Sequence, residues 1–162
     1  RQQHGHYACT GILYNHESPR RGPAFVTRKI TSTAAKIKLG LESKLVLGNL
    51  DAERDWGYAP DYVRAMWLML QQEEPRDFVL SSGRLHTVRE FVDAAFTTVG
   101  LDYRQYVEVS PEFYREKEEI PLCGDTRKIK AELGWQSSRT LQEMVAEMVA
   151  HDLGLFKVLL DQ

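Results

Sequence analysis

The apolar residues of this chain recur at the spacing of an α-helix in several segments. In residues 61–72, for example, Val63, Met66, Trp67 and Leu70 follow each other at intervals of three and four, which is typical of a helix with one apolar face. Glycines mark helix ends, and a Ser or Thr followed three residues later by Glu marks helix starts. The predicted helices cover residues 24–39, 61–72, 87–99, 125–133 and a last segment that opens at 140.

Short runs of β-branched, aromatic and aliphatic residues lie between these helices and predict strands. They cover residues 7–14, 44–47, 77–80 and 106–109, and the polar stretch 49–60 is predicted to be a loop. Helices and strands therefore alternate, which indicates an α/β fold. The chain has 162 residues, of which 43% are hydrophobic, so it is long enough to form one domain with a substantial core.

Positive charge is concentrated near the start of the chain. Residues 1–50 hold eight Lys or Arg and only two acidic residues, although the net charge of the whole chain is −2. A basic segment in a mildly acidic protein indicates a local anion site and argues against a nucleic-acid-binding domain, which is usually basic overall. A solvated helix face is the alternative interpretation of this charge.

The stretch NHESPRRG at 15–22 is the first candidate for an anion site. It lies between the first predicted strand and the first predicted helix, and ligands of open α/β sheets bind outside the carboxyl ends of the strands. Arginine forms bidentate, charge-assisted bonds with phosphate, so Arg21, Arg54 and Arg115 suit a diphosphate. A plain surface turn is the alternative.

Other kinds of site have less support. His4, His6 and Cys9 do not have the spacing of a tetrahedral metal site, so no metal is expected. The sequence has no run of about 18 apolar residues and no basic-then-apolar leader, so neither a membrane span nor a secretory signal is expected. Cys9 and Cys123 form no pair motif, which is typical of a cytoplasmic protein with reduced thiols.

Common catalytic and cofactor motifs are absent from this sequence. It has no glycine-rich dinucleotide fingerprint, no phosphate-binding loop with Gly-Lys-Ser/Thr, no GxSxG and no HExxH. Motifs alone would therefore indicate a binding domain without catalytic chemistry.

Stretches along nearly the whole chain resemble the GDP-mannose 4,6-dehydratase family of the extended short-chain dehydrogenase/reductase superfamily. They occur in order and with similar spacing: NHESPRRG at 15–22, FVTRKI at 25–30, LGNL at 47–50, RDWG at 54–57, DYVRAMWLMLQ at 61–71 and GD…K…LGW at 124–135. The combination of NHESPRRG and RDWG distinguishes this family from general sugar-nucleotide epimerases, which usually keep only the Asn and a less strictly defined arginine loop.

The resemblance covers the carboxyl-terminal half of that family and implies the corresponding part of an extended Rossmann-type α/β dehydratase. Residues 1–23 would be the trailing strand and loop of the cofactor-binding sheet, and residues 24–162 would mostly form a smaller, mixed α/β substrate-binding region. The family's Gly-rich loop, its catalytic Thr/Ser and Glu and its Tyr-x-x-x-Lys pair lie upstream of this part. No catalytic residue is therefore expected in this chain.

The resemblance also implies a role for each matching residue. His16 and Arg21 would bind the NADP cofactor. The residues that would bind the sugar nucleotide are Asn15 at the diphosphate or sugar, Val26 and Lys29 in the nucleotide pocket, Leu45 and Gly48 near the guanine, Arg54 and Arg115 at the diphosphate, and Glu118 at the nucleoside. Arg21, Arg54 and Arg115 are also indicated by their charge, whereas Val26, Gly48 and Glu118 rest on the resemblance alone.

The activity that the resemblance implies is the conversion of GDP-mannose to GDP-4-keto-6-deoxymannose by a homo-oligomeric enzyme. NADP would take a hydride from C4, a base would remove the C5 proton, water would leave from C6, and the hydride would return to C6. Two alternatives stay open: a related reductase or epimerase of the same superfamily, and a non-catalytic sugar-nucleotide-binding module. The isolated chain is expected to lack dehydratase activity.

Overall fold

The computed structural model describes residues 1, 3–114 and 122–160. Arg115 and Glu118 therefore lie outside the described residues. The helices within these ranges are α1 (Val26–Lys38), α2 (Ala59–Met69), α3 (Val88–Thr98), α4 (Arg127–Leu133) and α5 (Leu141–Leu160). The strands are β1 (Gly11–Leu13), β2 (Asn15–Glu17), β3 (Leu45–Leu47), β4 (Glu53–Arg54), β5 (Trp56–Tyr58), β6 (Phe78–Leu80), β7 (His86–Thr87) and β8 (Val107–Val109).

The capping boxes that the sequence predicts are present at the starts of α3 and α5. Thr87 Oγ1 accepts a hydrogen bond from the Glu90 N–H at 3.1 Å, and the Glu90 carboxylate accepts from the Thr87 N–H at 2.6 Å. Thr140 and Glu143 make the same reciprocal pair at 3.2 and 2.8 Å. The glycines that follow α1, α3 and α4 all have positive φ. Capping boxes thus mark the starts of α3 and α5, and glycines mark the ends of α1, α3 and α4, as predicted.

The strands pair two by two in the described part of the chain. Strands β1 and β6, β2 and β5, and β3 and β8 pair in parallel, whereas β4 and β7 pair antiparallel. Parallel neighbours cannot be joined by a hairpin and need a crossover connection, usually through a helix. The alternation of helices and strands along the sequence therefore corresponds to parallel strand pairs, as expected for an α/β fold.

Two parts of the strand prediction are wrong. A single strand over 7–14 is not formed, because β1 is confined to Gly11–Leu13 and Asn15–Glu17 form β2 with a different partner. The stretch 49–60 is not a simple loop, since it contains β4 and β5. A strand of two or three residues that include polar residues or glycine is too short to show an alternation of apolar and polar residues. Such strands form here because the partner strand is supplied from elsewhere in the chain.

The main core lies between α1, α3 and α5. Ile30 of α1, Phe91 of α3 and Met148 of α5 are fully buried there, and the Trp56 ring meets Phe91 edge-on with centroids 5.1 Å apart. A second cluster joins α2, β6 and α4, and its buried members are Tyr62, Ala65, Met69, Phe78, Leu80, Ile129 and Trp135.

The apolar stripe that indicates α2 is not the face that α2 buries. Val63 and Trp67 are 64% and 60% exposed, whereas Tyr62 and Ala65 are fully buried. The ring of Tyr62 packs so closely over Gly57 that a side chain at Gly57 would overlap it, so this orientation of α2 requires glycine there. An exposed apolar stripe of this kind is unusual on a monomer surface.

Replacing Phe91 by alanine should lower the free energy of unfolding by about 3–5 kcal/mol, because the fully buried ring would leave a cavity beside Trp56. The control Leu159→Ala removes a side chain that is 59% exposed. It should change stability by less than about 0.5 kcal/mol. Urea unfolding followed by circular dichroism measures both losses, and equal losses would contradict the placement of the core.

Candidate functional site

Parallel pairing of β2 with β5 brings the NHESPRRG and RDWG stretches together. Asn15 pairs with Trp56, His16 with Gly57, and Glu17 with Tyr58. The backbone ladder thereby places the first polar residues of one motif beside the last residues of the other. Two stretches that are far apart in the sequence thus lie side by side.

His16 is held on two sides. Its Nδ1 lies 2.8 Å from the Tyr14 carbonyl oxygen, and because a carbonyl oxygen can only accept, Nδ1 carries the hydrogen. The imidazole also stacks on the Tyr62 ring with centroids 5.0 Å apart. In the neutral ring, Nε2 is therefore the atom that can accept a hydrogen bond from a ligand.

Glu17 is a buried carboxylate that sequence reasoning did not single out. Its Oε2 accepts a hydrogen bond from Thr27 Oγ1 at 2.6 Å and lies 3.3 Å from Arg21 Nε. Burial raises the pKa of Glu17, and the Thr27 hydroxyl and the Arg21 charge oppose this rise. Glu17 thus ties β2 to the following loop and to the start of α1, so part of the polarity of NHESPRRG faces inward.

Arg21 is contacted both at its guanidinium and at its main-chain oxygen. Its guanidinium lies over the Phe25 ring, with Cζ 3.5 Å from the ring centre, and its main-chain oxygen accepts from Arg28 Nε at 3.2 Å. Arg28 in turn forms an ion pair with Asp152, which is fully buried on α5. The buried Nε of Arg21 has no well-aligned acceptor among the described residues.

A second group of candidate residues meets at the start of α1 and the end of β3. Lys29 Nζ donates to the Val46 carbonyl oxygen at 2.7 Å and lies 4.5 Å from the centre of the half-exposed Phe113 ring. A Cβ on Gly48 would overlap the main-chain carbonyl of Phe113, so glycine is required there for this close approach. Phe113 is a member of this group that the sequence did not indicate.

Val26 and Leu45 have different surroundings within this group. Val26 is the first residue of α1 and is exposed, so its side chain can meet a ligand. Leu45 is buried in the main core, so it can act only by packing beneath the site.

Arg54 ends β4 and lies opposite His86 of β7. Its Nη1 donates to the Glu53 carbonyl oxygen at 2.6 Å. The next residue, Asp55, is buried and accepts hydrogen bonds from the loop that follows β6. The RDWG motif contains Asp55, but the sequence gives no sign that this carboxylate is buried.

Within the described ranges, no three His, Cys, Asp or Glu side chains come together in a way that could hold a metal ion. No helix in the same ranges is long and apolar enough to cross a membrane. Cys9 and Cys123 are free thiols.

The family model for GDP-mannose 4,6 dehydratase matches residues 1–148. The chain belongs to the GDP-mannose 4,6-dehydratase family. It is 52% identical to GDP-mannose 4,6 dehydratase 1 of Arabidopsis thaliana over 157 residues, which is 97% of this chain and 44% of that protein. It is 48% identical to GDP-mannose 4,6-dehydratase of Vibrio cholerae over 180 residues, covering 94% of this chain and 48% of the relative. The chain thus spans about half the length of the curated relatives it matches.

Solved structures share the fold at lower identity. RMD from Pseudomonas aeruginosa, complexed with NADPH, has a TM-score of 0.86 and 18% identity, covering 95% of this chain and 51% of that one. DesIV, a dTDP-glucose 4,6-dehydratase from Streptomyces venezuelae with NAD and TYD bound, has a TM-score of 0.76 and 20% identity, covering 93% and 45%. The predicted family and the predicted extended Rossmann-type α/β fold are confirmed.

Glu17→Gln should gain stability relative to the unsubstituted protein as pH rises. Burial raises the pKa of Glu17 above its ordinary 4.5, so the folded protein holds this proton more tightly than the unfolded chain. The resulting stabilisation is complete below the unfolded pKa and is lost as pH rises through the folded pKa, whereas Gln does not titrate. Unfolding free energies measured between about pH 4 and 8 test this.

Glu143→Gln provides the control of opposite sign. The Thr140 N–H and hydroxyl lower the pKa of Glu143, so its stabilisation is present above the unfolded pKa and is lost as pH falls. A pH-independent difference between Glu17→Gln and the unsubstituted protein would show that Glu17 titrates normally.

Gly48→Ala should destabilise the protein by about 1–3 kcal/mol, because the added methyl group overlaps the Phe113 main chain and must displace it. The same substitution at Gly154 of α5 meets open space and should stabilise the helix by about 0.5–1 kcal/mol. Thermal unfolding compares the two variants. A Gly48→Ala protein as stable as the parent would mean that Phe113 does not need to approach so closely.

Proposed function

We propose that this chain is the sugar-nucleotide-binding part of a GDP-mannose 4,6-dehydratase that converts GDP-mannose to GDP-4-keto-6-deoxymannose. The match to the family model over residues 1–148 carries the proposal. The identities of 52% and 48% to relatives named for this activity support it. NADP is the proposed cofactor, and the structural likeness to a protein complexed with NADPH is compatible with it.

The proposed cofactor contacts are His16 and Arg21. Arg21 is a permanent cation whose guanidinium lies against the Phe25 ring, which fits contact with an anionic group of the cofactor. His16 presents Nε2 because Nδ1 is engaged with Tyr14. When bound, NADP supplies the hydride transfer, and the residues of this chain supply binding and orientation.

The proposed substrate contacts divide by the part of the sugar nucleotide they meet. Lys29, Val26 and Gly48 would line the nucleotide pocket beside Phe113, with Leu45 packing below. The remaining proposed contacts are Asn15 at the sugar or diphosphate, Arg54 and Arg115 at the diphosphate, and Glu118 at the nucleoside. Binding the diphosphate away from the reacting carbons would help to hold the sugar in register with the cofactor.

The proposed assembly is a cytoplasmic homo-oligomer. Two free thiols agree with a reducing compartment. Residues 1–23 are proposed to belong to the cofactor-binding sheet and residues 24–162 mostly to the substrate-binding region.

Calorimetric titration of GDP-mannose tests the substrate contacts. Micromolar binding is expected, and Arg54→Ala should weaken it by about tenfold or more, since one charge-assisted contact to phosphate is lost. Arg104→Ala is the matched control, because Arg104 is exposed and paired with Asp102 on the surface. Equal affinities for the two arginine variants would contradict the proposed diphosphate site. Absence of binding by a chain whose circular dichroism shows it to be folded would contradict the proposed substrate.

The isolated chain should show no dehydratase turnover with GDP-mannose and NADP, because the Tyr-Lys pair and the Glu of the family are expected upstream of this part. Product analysis by mass spectrometry detects the loss of one water from the sugar. Turnover at the rate of an intact family enzyme would mean that the catalytic groups lie within these 162 residues.

A further inference from the structure

Asp55 is a buried charge between two strands of the site. It separates Arg54 of β4 from Trp56 of β5, and it is 1% exposed. Burying a carboxylate is unfavourable unless hydrogen bonds replace its lost water. Its hydrogen-bond donors therefore show which parts of the protein depend on it.

The first set of donors comes from the loop that follows β6. Ser81 Oγ donates to Oδ2 at 2.7 Å, and the Gly83 N–H donates to the same oxygen at 3.2 Å. Ser82 donates to Oδ1 twice, from its N–H at 2.8 Å and from its hydroxyl at 2.6 Å. Asp55 thus orders this loop residue by residue, in the way an anion orders a nest of N–H groups.

The second set comes from the segment ahead of α4. The Gly124 N–H donates to Oδ2 at 3.1 Å, and the Cys123 thiol lies 3.8 Å from that oxygen. Gly124 also packs against Ser81 so closely that a Cβ there would overlap the serine side chain. Gly124 follows the stretch that contains Arg115 and Glu118 in the sequence. The Asp55 carboxylate therefore binds both segments, and Asp55 directly follows Arg54 in the chain.

We propose that Asp55 is a positioning residue of the sugar-nucleotide site. Its carboxylate holds the loop after β6 and the segment at Gly124 against the β4–β5 junction, and this fixes the main chain that presents Arg54 to the diphosphate. The inference rests on the proposed role of Arg54 in substrate binding. The joining of the three segments can be tested without any ligand.

The ligand arm of the test compares Asp55→Asn with Asp61→Asn. Asp61, on α2, is a matched control because it is also buried, at 7% exposed, and its carboxylate accepts two hydrogen bonds from Ser138, each at 2.8 Å. Asp55→Asn should raise the Kd for GDP-mannose by about tenfold or more, whereas Asp61→Asn should leave it within about twofold although both lose stability. Ser82→Ala removes one hydroxyl donor to Asp55 and should raise the Kd for GDP-mannose by about two- to threefold. This variant replaces Asp55→Asn in the test if Asp55→Asn does not fold. Equal Kd values for the Asp55 and Asp61 variants would overturn the proposal.

The ligand-free arm measures the alkylation rate of Cys123 by iodoacetamide in a Cys9→Ser background. Burial, followed by the charge and hydrogen bond of Asp55, raises the pKa of the Cys123 thiol. Asp55→Asn should therefore speed alkylation by about threefold or more near neutral pH, and Asp61→Asn should not. Unchanged rates would show that Asp55 does not control the Gly124 segment. If GDP-mannose does not bind the folded parent, the proposed function fails, and the alkylation rates still decide whether Asp55 joins the segments.

Discussion

The parallel ladder between β2 and β5 is the constraint on which the rest of the site depends. Successive side chains of a strand point to opposite faces, so His16 and Glu17 must face opposite ways. His16 meets Tyr62 of α2 on one side, and Glu17 meets Thr27 of α1 on the other. The ladder is short, yet it sets the position of two helices at once. It is the backbone pairing that brings the two polar motifs side by side.

The uneven distribution of charge has a structural explanation as well as a functional one. Several cations of the basic first 50 residues pair with acids of the remaining chain, as in the ion pairs Arg28–Asp152 and Lys44–Glu108. The Arg28–Asp152 pair is buried, whereas the Lys44–Glu108 pair is exposed, so the solvated-face interpretation does not account for Arg28. Arg21 differs, because its acidic neighbour Glu17 belongs to the same motif.

The helices could be predicted because their information is local. A capping box such as Thr87 with Glu90 acts over one turn, and the period of α1 is visible in its own residues. The site could be predicted only in part, because burial is a property of the whole fold. Nothing near Asp55 in the sequence distinguishes a solvated loop carboxylate from a buried one. Strands β4 and β5 were missed because their partner strands come from elsewhere in the chain. The inward face of α2 packs against Gly57, which carries no apolar signal.

The contacts of Asp55 also have a consequence for the order of folding. They close loops of 26 to 28 residues to the segment after β6 and of 69 residues to Gly124. Contacts between distant residues must overcome the entropy of loop closure before they stabilise the chain, so they tend to form late. During synthesis, the three segments cannot meet until the ribosome has released the chain beyond Gly124. The contacts within each helix are local and need no such loop closure, whereas the joining of these three segments has to wait until the loops have closed.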